Sequence, residues 1–96
     1  MALFVVKHQH TAQTCPAGDP RMGPMLLQHL SKANASKSGI TIQSEAVADG
    51  QHSLYLTLEA SDSQKVQEFM APFAQMGSVE VMPASRCEAV VKRAKC

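Results

Sequence analysis

Apolar and polar residues follow two different periods along this chain, and the switches between them outline its elements. In residues 2–10, both alternating sets of Leu3-Phe4-Val5-Val6 are apolar, the pattern of a central strand covered on two faces. The strand period of two then sends His8 and His10 to one side, that of Phe4 and Val6. Residues 11–23 lose all periodicity and hold two Pro and two Gly. They read as a loop carrying Cys15, longer than the ~2–6 residues usual between a strand and a helix. Met22, Leu26, Leu30 and Ala33, with Met25 and His29 beside them, then recur at helical spacing. Asp19-Pro20 or Pro24 starts this helix and Gly39 stops it.

The period returns to two at Ile40–Ala48 and again at Leu54, Leu56 and Leu58, two half-polar strands joined at Asp49-Gly50. A loop of two residues would pair Glu45 with Leu54 and mix polar with apolar positions. An odd loop, Asp49-Gly50-Gln51, pairs Ala46 with Leu54, Ser44 with Leu56 and Ile42 with Leu58, and keeps one face apolar. Ser61 and Gln64 form a capping box for a second helix with the stripe Val66, Phe69, Met70, Phe73 and Met76, in which Pro72 forces a kink or an irregular last turn. Val79–Met82 is a fourth strand broken by Pro83, and residues 84–96 add a short strand, a turn of helix or a basic tail.

Length and composition narrow the picture. A chain of 96 residues that is 45% hydrophobic forms one domain, residues 1–96, with a modest core. Domains of this size bury only about 60–65% of their unfolded surface, so a partner that covers more is expected. A formal charge of +1 and few aromatic residues give neither the field nor the stacking platforms of a nucleic-acid binder. No apolar run approaches the ~20 residues that span a bilayer, and the N-terminus has no signal-peptide pattern. An odd set of three cysteines fits a reducing compartment, so the protein is expected to be soluble and cytoplasmic, without membrane or nucleic-acid partners.

The order strand, helix, strand, strand, helix, strand predicts an α+β, ferredoxin-like βαββαβ domain, a four-stranded antiparallel sheet with two helices on one face. Leu54, Leu56 and Leu58 face the helices. Tyr55, Val47 and one apolar set of the first strand occupy the open face, which a second copy is expected to cover. On the strand Leu3-Phe4-Val5-Val6, the hairpin at Asp49-Gly50 and this element order, the chain resembles the dimeric α/β-barrel superfamily. That superfamily includes antibiotic-biosynthesis-type monooxygenases and chlorite-dismutase-like haem proteins. The resemblance implies a homodimer with a ligand cleft between each sheet and its own first helix or loop, and it carries over no catalytic residue.

The candidate chemistry follows from taking the first and third strands as parallel. His8, His10 and Glu59 then reach one edge, where Glu80 starts the fourth strand and the loop delivers Cys15. Whether they share a face rests on the register of the first strand. In the leading expectation a cleft binds a small, partly apolar ligand, with His8, His10 and Glu59 as acid/base groups and Cys15, Tyr55 and Glu80 as ligand contacts. The resemblance implies a cofactor-independent monooxygenase-like or related small enzyme as the activity such a cleft would serve. The alternative is a zinc or copper site made by His8, His10 and Cys15, with haem on Cys15 less favoured, and a third reading is a dimerisation module without a pocket. His29 is expected to border the core and His52 to be structural or solvated. Met22, Met25, Met70 and Met76 are expected to pack between helices and sheet.

Overall fold

The doubly apolar run at the N-terminus forms the inner strand of the sheet in the computed structural model, which describes residues 1–96. In chain order the elements are β1 (Ala2–His10), α1 (Met22–His29), α2 (Lys32–Lys37), β2 (Thr41–Ala48), β3 (Ser53–Ala60), α3 (Ser63–Phe69), α4 (Ala71–Ala74), β4 (Gly77–Ala84) and α5 (Cys87–Arg93). The sheet order is β2-β3-β1-β4, antiparallel throughout, with α1 to α4 on one face. This is the expected ferredoxin-like α+β architecture. The core lies between the sheet and those helices, where Phe4, Val6, Leu56 and Leu58 meet Leu26, Val66, Phe69 and Met70.

β1 and β3 are antiparallel, and this corrects the parallel pairing assumed above. Leu3 faces Glu59 and His8 faces Leu54, so Glu59 stands at the end of the sheet opposite the histidines. The hairpin differs as well. Its loop is Asp49–His52, an even number of residues, and the extra residue sits inside β2 as a bulge at Gln43. Ile42 pairs with Leu58 as expected, but beyond the bulge Glu45 pairs with Leu56 and Val47 with Leu54. The second half of β2 is therefore inverted, and Glu45 and Val47 turn to the helix side while Ser44 and Ala46 join the open face.

Both expected helices are interrupted, the first where a local polar group competes for its backbone. The first breaks at Leu30, because the Ser31 hydroxyl accepts from the Asn34 N–H at 3.2 Å and starts α2 afresh. The Asn34 side chain in turn donates to the His29 carbonyl at 2.8 Å, satisfying the end of α1. α2 closes with bonds from Gly39 to Ser36 and Ile40 to Ala35, a Schellman pair that needs the positive φ of Gly39. Asp62, one residue after the expected Ser61, caps α3 by accepting from the Lys65 N–H at 2.9 Å. Pro72 splits the expected second helix, entering the first turn of α4 where its missing N–H costs nothing.

Other expectations are revised. Met22 and Met25 are exposed on α1, and of the four methionines only Met70 is fully buried, with Met76 partly so. β4 runs on through Pro83, which is tolerated because β4 is an edge strand. The C-terminal segment is a short helix, α5, with no buried residue. No helix is long and apolar enough to cross a membrane.

At the start of β4, Gly77 faces His10, and a Cβ there would stand 2.1 Å from the Gln9 carbonyl oxygen. The obstacle is backbone and cannot swing away. Gly77→Ala is therefore expected to destabilise the fold by about 3 kcal/mol, the upper range for overpacking. Urea unfolding measures this, and an unchanged midpoint would contradict so close an approach of β1 and β4.

Candidate functional site

The end of β1 that carries the histidines lies beside the start of β3, because the two strands are antiparallel. It therefore adjoins the β2–β3 hairpin, and the connection Thr11–Arg21 folds over the same corner. That connection is ordered by local bonds. Thr11 and Thr14 bond reciprocally through backbone and hydroxyl groups just before Cys15. Asp19 accepts from the Met22 and Arg21 N–H groups, each at 2.8 Å, and these two bonds hold its carboxyl below the usual carboxylate range. Asp19 thus caps the turn that leads into α1, as Asp19-Pro20 suggested.

A cleft of about 580 Å³ opens between this connection, α1 and the distal half of the hairpin. Pro24, Leu27, Leu30, Val47, Leu54 and Phe73 make its apolar walls, and His10, Cys15, His52 and Glu45 are polar groups on it. Glu45 and Val47 reach it only through the inversion at Gln43.

His8 is 2% exposed, packed edge-on to Phe73 with ring centroids 5.2 Å apart. Its Nδ1 lies 3.0 Å from the Ser78 carbonyl oxygen, and its Nε2 lies 3.2 Å from His10 Nδ1. A carbonyl only accepts, so His8 carries its proton on Nδ1 and, when neutral, accepts at Nε2. His10 must then donate from Nδ1. Neutral His10 is left with a lone pair on Nε2, a buried atom that no protein group bonds.

Both imidazoles are held below the ordinary histidine range. For His8 the cause is burial, partly opposed by the Ser78 bond and assisted by the charge of His10. For His10 it is burial and then the charge of His52. His52 occupies the left-handed region at φ 52°, uncommon for a residue with a side chain, and its carbonyl accepts from the His10 N–H at 3.1 Å. The two rings meet edge to face at 5.3 Å. One ligand atom each from His10, Cys15 and His52 fall within 4.8 Å of one another.

The expected site residues thus separate. His8, His10 and Cys15 come to one corner, but both ring nitrogens of His8 are already engaged, so it has no lone pair for an ion. Tyr55 and Glu80 flank Lys7 in the register and lie on the open face, where the Lys7 ammonium stands 6.0 Å from the Tyr55 ring. Glu59 bonds Gln43 at the far end of that face, with Arg86 4.0 Å away. None of Tyr55, Glu59 and Glu80 lines the histidine cleft. His29 stacks on Phe69 at 4.5 Å and bonds its carbonyl, tying α1 to α3 as a residue at the core's border. The missed member is His52; an antiparallel β1–β3 pair would have placed the hairpin turn beside His10.

Residues 3–95 match the model of a family described as Domain of unknown function (DUF3303), and the chain belongs to that family. No curated protein matches the sequence.

The lowered histidines set a pH dependence. In the unfolded chain they titrate near 6.5, and in the fold below it, so between these values the unfolded state binds more protons. Stability from their burial is complete above about pH 6.5 and falls as the pH drops through that value toward the folded pKa values. The urea midpoint should therefore fall between pH 7 and 5. His8→Gln, which keeps a donor and an acceptor, should flatten that fall; an equally steep profile in the variant would assign the effect elsewhere.

A second expectation concerns the bulge. Deleting Gln43 should remove the bulge and leave the pairs Glu45–Leu56 and Val47–Leu54 in place, giving a regular β2 in a folded protein that keeps this cleft wall. Nuclear Overhauser contacts between Val47 and Leu54 read this directly, and their loss would speak against Gln43 as the extra residue.

Proposed function

We propose that this protein binds a small, largely apolar molecule bearing one O–H donor in the cleft between α1, the Thr11–Arg21 connection and the hairpin. The observation that carries the reading is the unpartnered, buried Nε2 of His10 at the polar corner of an apolar cleft. A volume of about 580 Å³ falls within the usual range of small-molecule pockets. Because the tautomer chain leaves His10 an acceptor, the matching ligand supplies a donor, as a phenol or hydroxylated ring does, and its apolar body lies on Leu27, Leu30 and Val47. The same nitrogen can take up a proton from such a ligand, which makes it the base of any turnover at this site.

The homodimer implied by the resemblance belongs to the same proposal. Leu3 and Val5 are half-buried on the open face, and Tyr55 and Met82 are 41% and 38% exposed there, which supports pairing of that face with a second copy. Sedimentation equilibrium tests it: Tyr55→Arg should shift the protein to monomer, and a wild-type monomer would remove this part of the reading.

Fluorescence titration with 2-naphthol tests the cleft. Saturable binding at one equivalent is expected, with naphthalene about tenfold weaker for want of the hydrogen bond, and His10→Ala should erase that difference. Equal binding of the two compounds to the wild type would sink the His10 anchor, and binding of neither would sink the cleft.

A further inference from the structure

We propose that His10, Cys15 and His52 are the protein ligands of a zinc ion at the polar corner of the cleft, with His8 positioning His10. The proposal stands on the cluster itself: zinc would take the His10 lone pair that is free in the metal-free protein, and a ligand's oxygen would then meet the open position of the ion instead of His10. Two imidazoles and a thiolate suit zinc, and three protein ligands leave a fourth position open, as in sites where zinc binds a water or a substrate. All three residues line the apolar cleft.

The distances are those of a site poised to contract. The donors lie within 4.8 Å of one another, whereas bonds of about 2.0–2.3 Å to tetrahedral zinc hold donors roughly 3.3–3.7 Å apart. Closing that gap takes about an ångström of movement. Cys15 lies on the connection and His52 on the hairpin turn, so the segments that must move are loops, while His10 is fixed in β1.

Two independent features distinguish the cluster from a chance meeting of side chains. The first is the orientation of His10. Zinc-bound histidines commonly donate their second ring N–H to a neighbour that fixes tautomer and ring plane. Here His10 Nδ1 donates to His8 and His8 Nδ1 to the Ser78 carbonyl, presenting Nε2 with its lone pair free. A histidine that merely finished a sheet edge would turn that nitrogen to a protein partner or to solvent. The second is the left-handed backbone of His52, which holds its ring against His10 while its carbonyl is tied to the His10 N–H. Uncommon backbone of this kind gathers at ligand clamps.

The test uses the whole reduced chain, freed of metal, titrated with cobalt(II) and then with zinc. A thiolate-to-cobalt charge-transfer band should grow to saturation at one equivalent and be bleached by one equivalent of zinc. Cys15→Ser should abolish the band, and His52→Asn, which tolerates the left-handed turn, should abolish tight binding. His8→Phe, which offers no acceptor to His10, should weaken binding by about 10–100-fold. A Cys87→Ser/Cys96→Ser double variant should keep the full band. Absence of the band in the wild type overturns the proposal, as does its survival in Cys15→Ser or unchanged affinity in His52→Asn. Cys15 and His52 lie outside the core, and circular dichroism confirms the fold of each variant. Metal-free 2-naphthol titration of the same samples is a separate readout, so failure of the zinc site and failure of the cleft are distinguishable.

Discussion

A backbone carbonyl can accept a hydrogen bond and never donate one, and in this protein that asymmetry sets the polarity of a whole corner of the fold. The Ser78 carbonyl is held by the β1–β4 pairing and takes the Nδ1 proton of His8. Every proton position beyond it follows. His8 is left to accept, His10 to donate to it, and the second nitrogen of His10, buried and unbonded by any protein group, to carry a lone pair. Burial reinforces the pattern. A low-dielectric setting disfavours a second proton on either ring, and among Val6, Leu54 and Phe73 the chain of imidazoles stays neutral and directional near pH 7.

Two departures from regular sheet geometry serve that corner. At Gly77 the absence of a side chain lets β4 run against Gln9 and His10, which brings Ser78 within bonding reach of His8. At Gln43 an extra residue inverts the outer half of β2 and supplies the far wall of the cleft. Neither is a feature of the core. The apolar layer of Leu56, Leu58, Val66 and Phe69 contains neither Gly77 nor Gln43, so the irregularities lie where the chain departs from pure packing.

Much of the architecture was legible in hydrophobic period alone. Phe4 and Val6, then Leu54, Leu56 and Leu58, marked the buried face, and the turn at Asp49-Gly50 fixed the hairpin. The candidate site was legible only in part, as His8, His10 and Cys15. Strand direction leaves no trace in a period of two, and taking β1 and β3 as parallel carried Glu59 to the wrong end of the sheet and left His52 unconnected to His10. The odd loop inferred from face matching does not form: the loop is even, the extra residue is Gln43 inside β2, and of the expected pairs only Ile42 with Leu58 is present. Alternation alone does not tell a residue absorbed in the strand from one absorbed in the loop. Met22 and Met25 misled as well: helical spacing defines a stripe, but on α1 only Leu26 is buried and both methionines are exposed.

The bulge also bears on how such a domain is inherited. Insertions and deletions are usually tolerated in loops, where they change length and little else. A bulge at position 43 lies within a strand and sets the faces of the side chains that follow it, because each residue of register swaps the two faces of the sheet. Two relatives of equal length could share core, topology and both histidines, yet absorb the extra residue in the strand or in the hairpin, and so turn Glu45 and Val47 to the cleft or to the open face. The place where that residue is absorbed is therefore a more informative character for dividing the family than any substitution in the strand itself.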